Sequence, residues 1–318
     1  MNPVEEATYT PHVWANAGTE GAFPLNAARA NEIEAGITSA VETVNELITS
    51  ASEADVRAII AAGHKYPGRN IADIPEIQSE LDQYGSVPAF LNARALARDA
   101  RYLRVKDYVD ITHSSIGGTR RHRIGHFWPY YNAGDTSRPG HILMVPDEAW
   151  PNTVQWFAKG NNQGTAAEPA PYIISTLHEY ELGTILPTFP VAWQNVMQPH
   201  RALLETRYSA SGNLNASTNW AWKDLGKIWS PSETEVYGQC VWGTPGWSIG
   251  YDCQFDIFHD TADRIKTSGG GRVYWWLRSA HGSSASHACV VSGNGLAYDN
   301  SVTNTGIRPL PCFLVGAN

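Results

Sequence analysis

The sequence predicts an α+β protein, with a helical region over residues 1–98 followed by a strand-containing region with long loops over residues 99–318. Three observations carry this reading. Apolar residues recur at helical spacing from Ile33 to Ala51. Three further segments before residue 98 open on helix-start signals. At Tyr102 to Ile111 the pattern changes to apolar and polar alternation, the mark of a half-buried strand. A chain of 318 residues suits two domains at roughly 150 residues each.

Residues 8 to 26 read as an extended lead-in punctuated by Gly and Pro, with Asn26 as a helix N-cap. Beyond it, Ile33, Ile37, Ala40, Val44, Leu47 and Ala51 step by 4, 3, 4, 3 and 4, which is a heptad seam. The outer face is polar (Glu32, Glu34, Ser39, Glu42, Asn45, Glu46), and β-branched Ile33, Ile37 and Val44 are compatible with a trimer. Gly36 weakens the helix, and an ordinary amphipathic helix packed on its own domain is the competing reading. Ser52 with Asp55 marks the next helix, which runs through Val56 to Ala62 and ends at Gly63. Pro75 to Tyr84 and Pro88 to about Arg101 each carry Pro in the first turn, and the first of them stops before Gly85.

After the strand at 102–111, further strands are expected at Arg123 to Trp128, His141 to Val145, Val273 to Leu277, Cys289 to Ser292 and Cys312 to Val315. One or two helices fall within 173 to 206, and the connecting loops are rich in Trp. The basic run Arg120-Arg121-His122-Arg123 reads as a solvated loop or strand edge following Gly117-Gly118.

Composition narrows the function classes. Apolar residues make up 42% and charged residues only 17%, so much of the polar surface is uncharged, which suits a particle surface or extracellular module. A net charge of -8 argues against general nucleic-acid binding. No window approaches a membrane span and the N-terminus has no signal-peptide pattern, so neither membrane insertion nor general secretory export is expected. Cys240, Cys253, Cys289 and Cys312 show no metal-ligand spacing and read as mostly buried thiols. No phosphate loop, zinc-helix motif or nucleophile elbow occurs, and no cofactor or metal is expected. Asp252, Cys253, Asp256 and His259 could form a catalytic cluster, although turn and capping roles fit them better.

One stretch stands apart. Tyr274-Trp275-Trp276-Leu277-Arg278-Ser279 and Gly306-Ile307-Arg308-Pro309 look like core, whereas His281 to Thr305 between them is almost wholly small and polar. Rigid support under adaptable Ser, Asn and Tyr is the composition of a binding surface, and an inert Gly/Ser-rich hairpin is the alternative.

Two resemblances are carried by separate sets of motifs. Tyr9-Thr10-Pro11-His12-Val13-Trp14, Pro24-Leu25-Asn26-Ala27 and Asn31-Glu32-Ile33-Glu34-Ala35-Gly36-Ile37 resemble the N-terminal segment of phage tail fibre and baseplate proteins, where it precedes a trimerising helix; Ala30 stands where that family usually has Leu. Val105-Lys106-Asp107-Tyr108-Val109, His141-Ile142-Leu143-Met144-Val145-Pro146 and the two framing elements resemble a phage and bacterial family of C-type-lectin-like fold. That family includes tropism determinants varied by diversity-generating retroelements.

The resemblance implies a non-catalytic receptor-binding domain at a phage or prophage tail tip, forming a homotrimer on the virion with other tail or baseplate proteins. Its partner would be a bacterial surface molecule. It implies receptor contacts from His281, Ser283, Ser284, Ser286, His287, Ser292, Asn294, Leu296, Tyr298, Asp299, Asn300, Thr303 and Asn304. Trp275 and Trp276 would fill the core, and Arg278 and Arg308 would bond loop carbonyls. Glu-Pro-Asn, Gln-Pro-Asp and Trp-Asn-Asp are absent, so calcium-mediated sugar binding is not implied; nor is the oxidase chemistry of formylglycine-generating enzymes, whose paired cysteines are lacking. A structural baseplate role or a glycan-modifying activity are the rival readings.

Overall fold

The structure, a computed structural model, describes residues 31–40, 52–63, 65–115, 118–211, 219–245 and 252–317. Residues 31–40 (α1) are helical, with Ile33 and Ile37 exposed along one stripe. The rest of the heptad seam, and the lead-in with Asn26, lie outside the described residues. Helix α2 (Glu53–Ala61) starts at a capping box in which the Ser52 side chain and Asp55 satisfy each other's backbone N–H groups, as the sequence predicts. The segment from Pro75 begins as one 3₁₀ turn and continues as α3 (Gln78–Tyr84), and α4 (Val87–Ala97) follows with Pro88 in its first turn.

The fold is α+β with antiparallel sheets. Strands β1 (Tyr108–His113), β2 (Gly118–Phe127) and β3 (Ile142–Pro146) form a meander. Then come α5 (Thr176–Tyr180), α6 (Val191–Val196) and β4 (Met197–Gln198). A hairpin of β5 (Arg201–Glu205) and β6 (Trp220–Asp224) leads to β7 (Ile228–Trp229) and α7 (Glu233–Tyr237). Helix α8 (Thr261–Arg264) precedes the short hairpin β8 (Lys266–Ser268) and β9 (Gly271–Val273). Strands β10 (Trp275–Ala280), β11 (His287–Val291) and β12 (Ala297–Ser301) make a separate three-stranded sheet. The last strand, β13 (Cys312–Val315), returns to the first sheet between β3 and β4, with β7 also paired to it.

That return explains the continuous apolar runs Ile142-Leu143-Met144-Val145 and Cys312-Phe313-Leu314-Val315. Successive side chains point to opposite faces of a sheet. Ile142, Met144, Phe313 and Val315 enter one core with Ile71, Phe90, Leu91 and Trp193, while Leu143, Val145, Cys312 and Leu314 enter another with Trp156, Trp229, Trp275 and Trp276. The central sheet is thus covered on both faces. Residues 71–95 of the helical region belong to the first of these cores, so position 98 falls inside a packed unit.

Several sequence expectations are corrected in detail. Residues 102 to 106 form turns, and the strand begins only at Tyr108, because Lys106 adopts a positive φ of 83° and Leu103 and Asp107 close hydrogen-bonded turns. The basic run lies within β2 rather than in a loop. His122 and Arg123 are buried, and Arg121 and Arg123 are forked onto Asp110 and Asp147. Those pairs line a cleft of about 400 Å³ between β2 and the α8–β8 segment, where their charges are largely matched internally. The helical window at 173–206 ends at Val196, and its last ten residues are mainly strand.

Candidate functional site

Strand β10 is the frame the sequence predicts. Trp275 and Trp276 are fully buried, and each indole N–H finds a carbonyl, Arg264 at 3.0 Å and Val154 at 2.7 Å respectively. Trp156 donates in turn to the carbonyl of Leu277 at 2.9 Å. Buried indoles with satisfied N–H groups contribute large apolar area without a polar penalty. Arg308 donates to the carbonyls of Trp150 and Pro151, in the role the resemblance implies.

Arg278 departs from that expectation. Its main partners are carboxylates. The guanidinium is buried, bonds both oxygens of Glu235 and donates to Asp252 Oδ2 at 2.9 Å. Tyr130 donates its hydroxyl to Glu235, and Ser232 donates its hydroxyl to Asp252 at 2.8 Å. Burial pushes the Asp252 carboxyl up to about 7, Arg278 opposing and Glu235 reinforcing the rise. In the sequence Asp252 reads as part of a rival catalytic cluster, and Glu235 is not among the candidate residues. The spacing of Ser232 and Glu235 was the available signal, since it forms a capping box on α7.

The predicted contact residues divide by burial. Ser283, Ser286, Asn294, Leu296, Tyr298 and Thr303 are exposed, while Ser284, His287, Asp299, Asn300 and Asn304 are half-buried. His281 and Ser292 are buried. Ser292 is better understood as a turn residue, because its hydroxyl accepts from the N–H groups of Asn294 at 3.3 Å and Leu296 at 3.2 Å. Gly295 completes that turn at φ 76°, and a Cβ there would meet the Thr261 carbonyl at 2.7 Å.

Strand alternation splits the remainder between two sides of β12. Tyr298 meets Tyr274 edge-on at 6.3 Å, and Asn300 accepts from the Asn304 amide at 2.8 Å. On the other side, Asp299 Oδ2 lies 3.9 Å from His281 Nε2, and the His281 ring lies 5.6 Å from Trp242. His281 Nδ1 accepts from the N–H groups of both Ser283 and Ser284 at 3.1 Å, so the ring proton is on Nε2, toward Asp299. Burial lowers the His281 pKa, with Asp299 opposing. His287 Nδ1 lies 2.9 Å from the hydroxyl of Ser284 and 3.1 Å from that of Ser286.

Three residues outside the predicted segment complete the face. Trp242 is exposed, and its indole N–H reaches the carbonyl of Ala297 at 3.4 Å. Its loop is held by Glu233, whose buried carboxylate accepts from the N–H groups of Val241, Trp242 and Gly243. Asn162 donates its side-chain amide to the carbonyls of Ser284 at 2.7 Å and His287 at 2.6 Å, and its backbone N–H to Ala285 at 2.7 Å. A lone Trp beside Gly243 was a weak signal for the first of these, and nothing local marked Asn162.

The rival cluster takes a different form. Asp252 is engaged by Arg278 and Ser232, the Cys253 thiol is pushed up to about 12 by burial, and exposed Asp256 faces His126 at 3.3 Å. Among the described residues, no group of three or more His, Cys, Asp or Glu side chains is placed to hold a metal ion.

Fold and face together define an α+β domain in which a buried tryptophan frame carries polar hairpins edged by exposed aromatic rings. Residues 151–314, just over half of the chain, match the family described as a domain of unknown function, DUF6273, and the chain belongs to that family. No curated protein and no solved structure matches it. The matched stretch takes in Cys312 to Leu314 of β13 but not β3, its partner in the central sheet, so that sheet is built from strands on both sides of the match boundary.

Proposed function

We propose that this protein is a receptor-binding component of a phage or prophage tail tip, with a C-type-lectin-like C-terminal domain that recognises a bacterial surface molecule without catalysis. One observation carries the reading: the fully buried Trp275, Trp276 and Leu277 of β10 support a mainly uncharged polar face in which Tyr274, Leu296, Tyr298 and Trp242 stay exposed. Large aromatic rings amid adaptable Ser and Asn are the chemistry of a recognition surface. Exposed Ile33 and Ile37, one turn apart on α1, supply an apolar stripe suited to helix association into a homotrimer. Three weak sites on one particle would raise apparent affinity by ~10²–10⁴ where geometry permits joint contact. Virion attachment would fall to the N-terminal region, alongside other tail or baseplate proteins.

The test is adsorption of the purified, fluorescently labelled chain to intact bacterial cells across a strain panel. Saturable adsorption to a subset of strains is expected. The double substitution Tyr298→Ala with His287→Ala should weaken it at least ~10-fold while leaving stability within ~1 kcal/mol, since Tyr298 is exposed and His287 is only half-buried. Undiminished adsorption by this variant would remove the face from the proposal, and loss of several kcal/mol of stability would return both residues to the core.

A further inference from the structure

We infer that a pocket beside this face receives the ammonium end of a lysine-type side chain presented by the receptor, an inference that rests on the receptor-face reading above. The pocket, of about 50 Å³, opens where the β5–β6 hairpin meets the 240–244 segment and the end of β10. Ser279 and Ala280 line it, and neighbouring Gly243 pairs with His281 of the face. Such a volume holds two or three water-sized groups at most, so a slender chain can enter but a sugar ring cannot. Half-buried Leu203 and Trp220 provide apolar wall for a methylene stem, leaving the charged head to the buried part of the pocket.

That buried part is short of positive charge. Asp252 Oδ2 is held by Arg278 and Ser232, but Oδ1 is buried and has no hydrogen-bond partner. Glu205, Glu233 and Glu235 are nearby and almost wholly out of solvent; Arg207 pairs with Glu205, Arg278 is shared between Glu235 and Asp252, and Glu233 is held by the N–H groups of Val241, Trp242 and Gly243. An uncompensated buried carboxylate is costly, and a cation in contact with it relieves the cost. An ammonium requires only acceptors, which Asp252 Oδ1 and the hydroxyl oxygen of Thr244 can supply.

The test is calorimetric titration of the full chain with n-butylammonium chloride, which reproduces the lysine stem. Tetramethylammonium chloride and glucosamine hydrochloride serve as comparisons at equal ionic strength. Saturable binding of n-butylammonium alone, weakened ~10-fold or more in Asp252→Asn, supports the proposal. Equal binding of either comparison cation, equal binding by the variant, or no saturable binding overturns it. Should Asp252→Asn fail to fold, labelling of Cys240 in the unsubstituted chain by methyl methanethiosulfonate gives the answer, because Cys240 lines the pocket. Slower labelling with n-butylammonium present supports the proposal, and an unchanged rate overturns it. Neither measurement uses cells, so failure here is distinct from failure to adsorb to a host.

Discussion

Replacing Asp252 by Asn should make the protein more stable at alkaline pH, and the size of the effect follows from the buried network around Arg278. One guanidinium serves two carboxylates there, and burial raises the Asp252 carboxyl from an ordinary 3.8 to about 7. Between those values the folded chain keeps a proton that the unfolded chain releases, so this group makes stability fall as pH rises from about 4 to about 7 and then level off. At ~1.4 kcal/mol per pH unit, the loss amounts to roughly 4 kcal/mol. Asparagine preserves the shape and never ionises, so the variant's stability relative to the parent should grow by roughly 3 kcal/mol between pH 4.5 and pH 8. Buried His113 and His141, both lowered to about 4 by burial, act with the opposite sign, their contribution growing as pH rises from about 4 to 6.5. They are common to both proteins and cancel in the comparison. Urea unfolding at intervals from pH 4.5 to 8.5 is the assay. Parallel stability curves for the two proteins would refute the reasoning.

Other substitutions probe the frame and the assembly. Trp276→Ala should cost ~3–5 kcal/mol by chemical denaturation, since it empties a fully buried site and strands the Val154 carbonyl; a loss below ~1 kcal/mol would mean that the frame does not depend on this ring. In light scattering at micromolar concentration, the unsubstituted chain should run as a trimer and the Ile33→Asp, Ile37→Asp double variant as a monomer, whereas a monomeric parent would defeat the trimer reading. Iodoacetamide followed by peptide mass mapping should modify Cys240 and Cys253 well before fully buried Cys289 and Cys312.

The parts of this fold that could be read in advance are those whose cause is local. The Ser52 capping box, the Pro88 first turn and the apolar run at Cys312 each act within a few residues, and each appears where expected. Strand β12 is not legible in the sequence, because Ala297-Tyr298-Asp299-Asn300-Ser301 has the composition of a loop and becomes a strand through its register with β11. Arg278 was legible as a buried structural residue, but its choice of carboxylates over carbonyls depends on Glu235 and Asp252, 43 and 26 residues away. In the candidate face, exposed Tyr298 and Leu296 could be picked out by type, whereas Ser292 could not be recognised as a turn residue from composition alone. Trp242 and Asn162 join the face by long-range contacts that no short window contains.

The bonds from Asn162 also set what the loop between β10 and β11 can become. Every one of them ends on a main-chain oxygen, at Ser284, Ala285 and His287, and a main-chain oxygen is present whichever side chain occupies the position. Exchanging one side chain for another at 283 to 287 leaves the tether in place, but adding or removing a residue moves those oxygens away from the amide. The loop is therefore free in its spelling and fixed in its length.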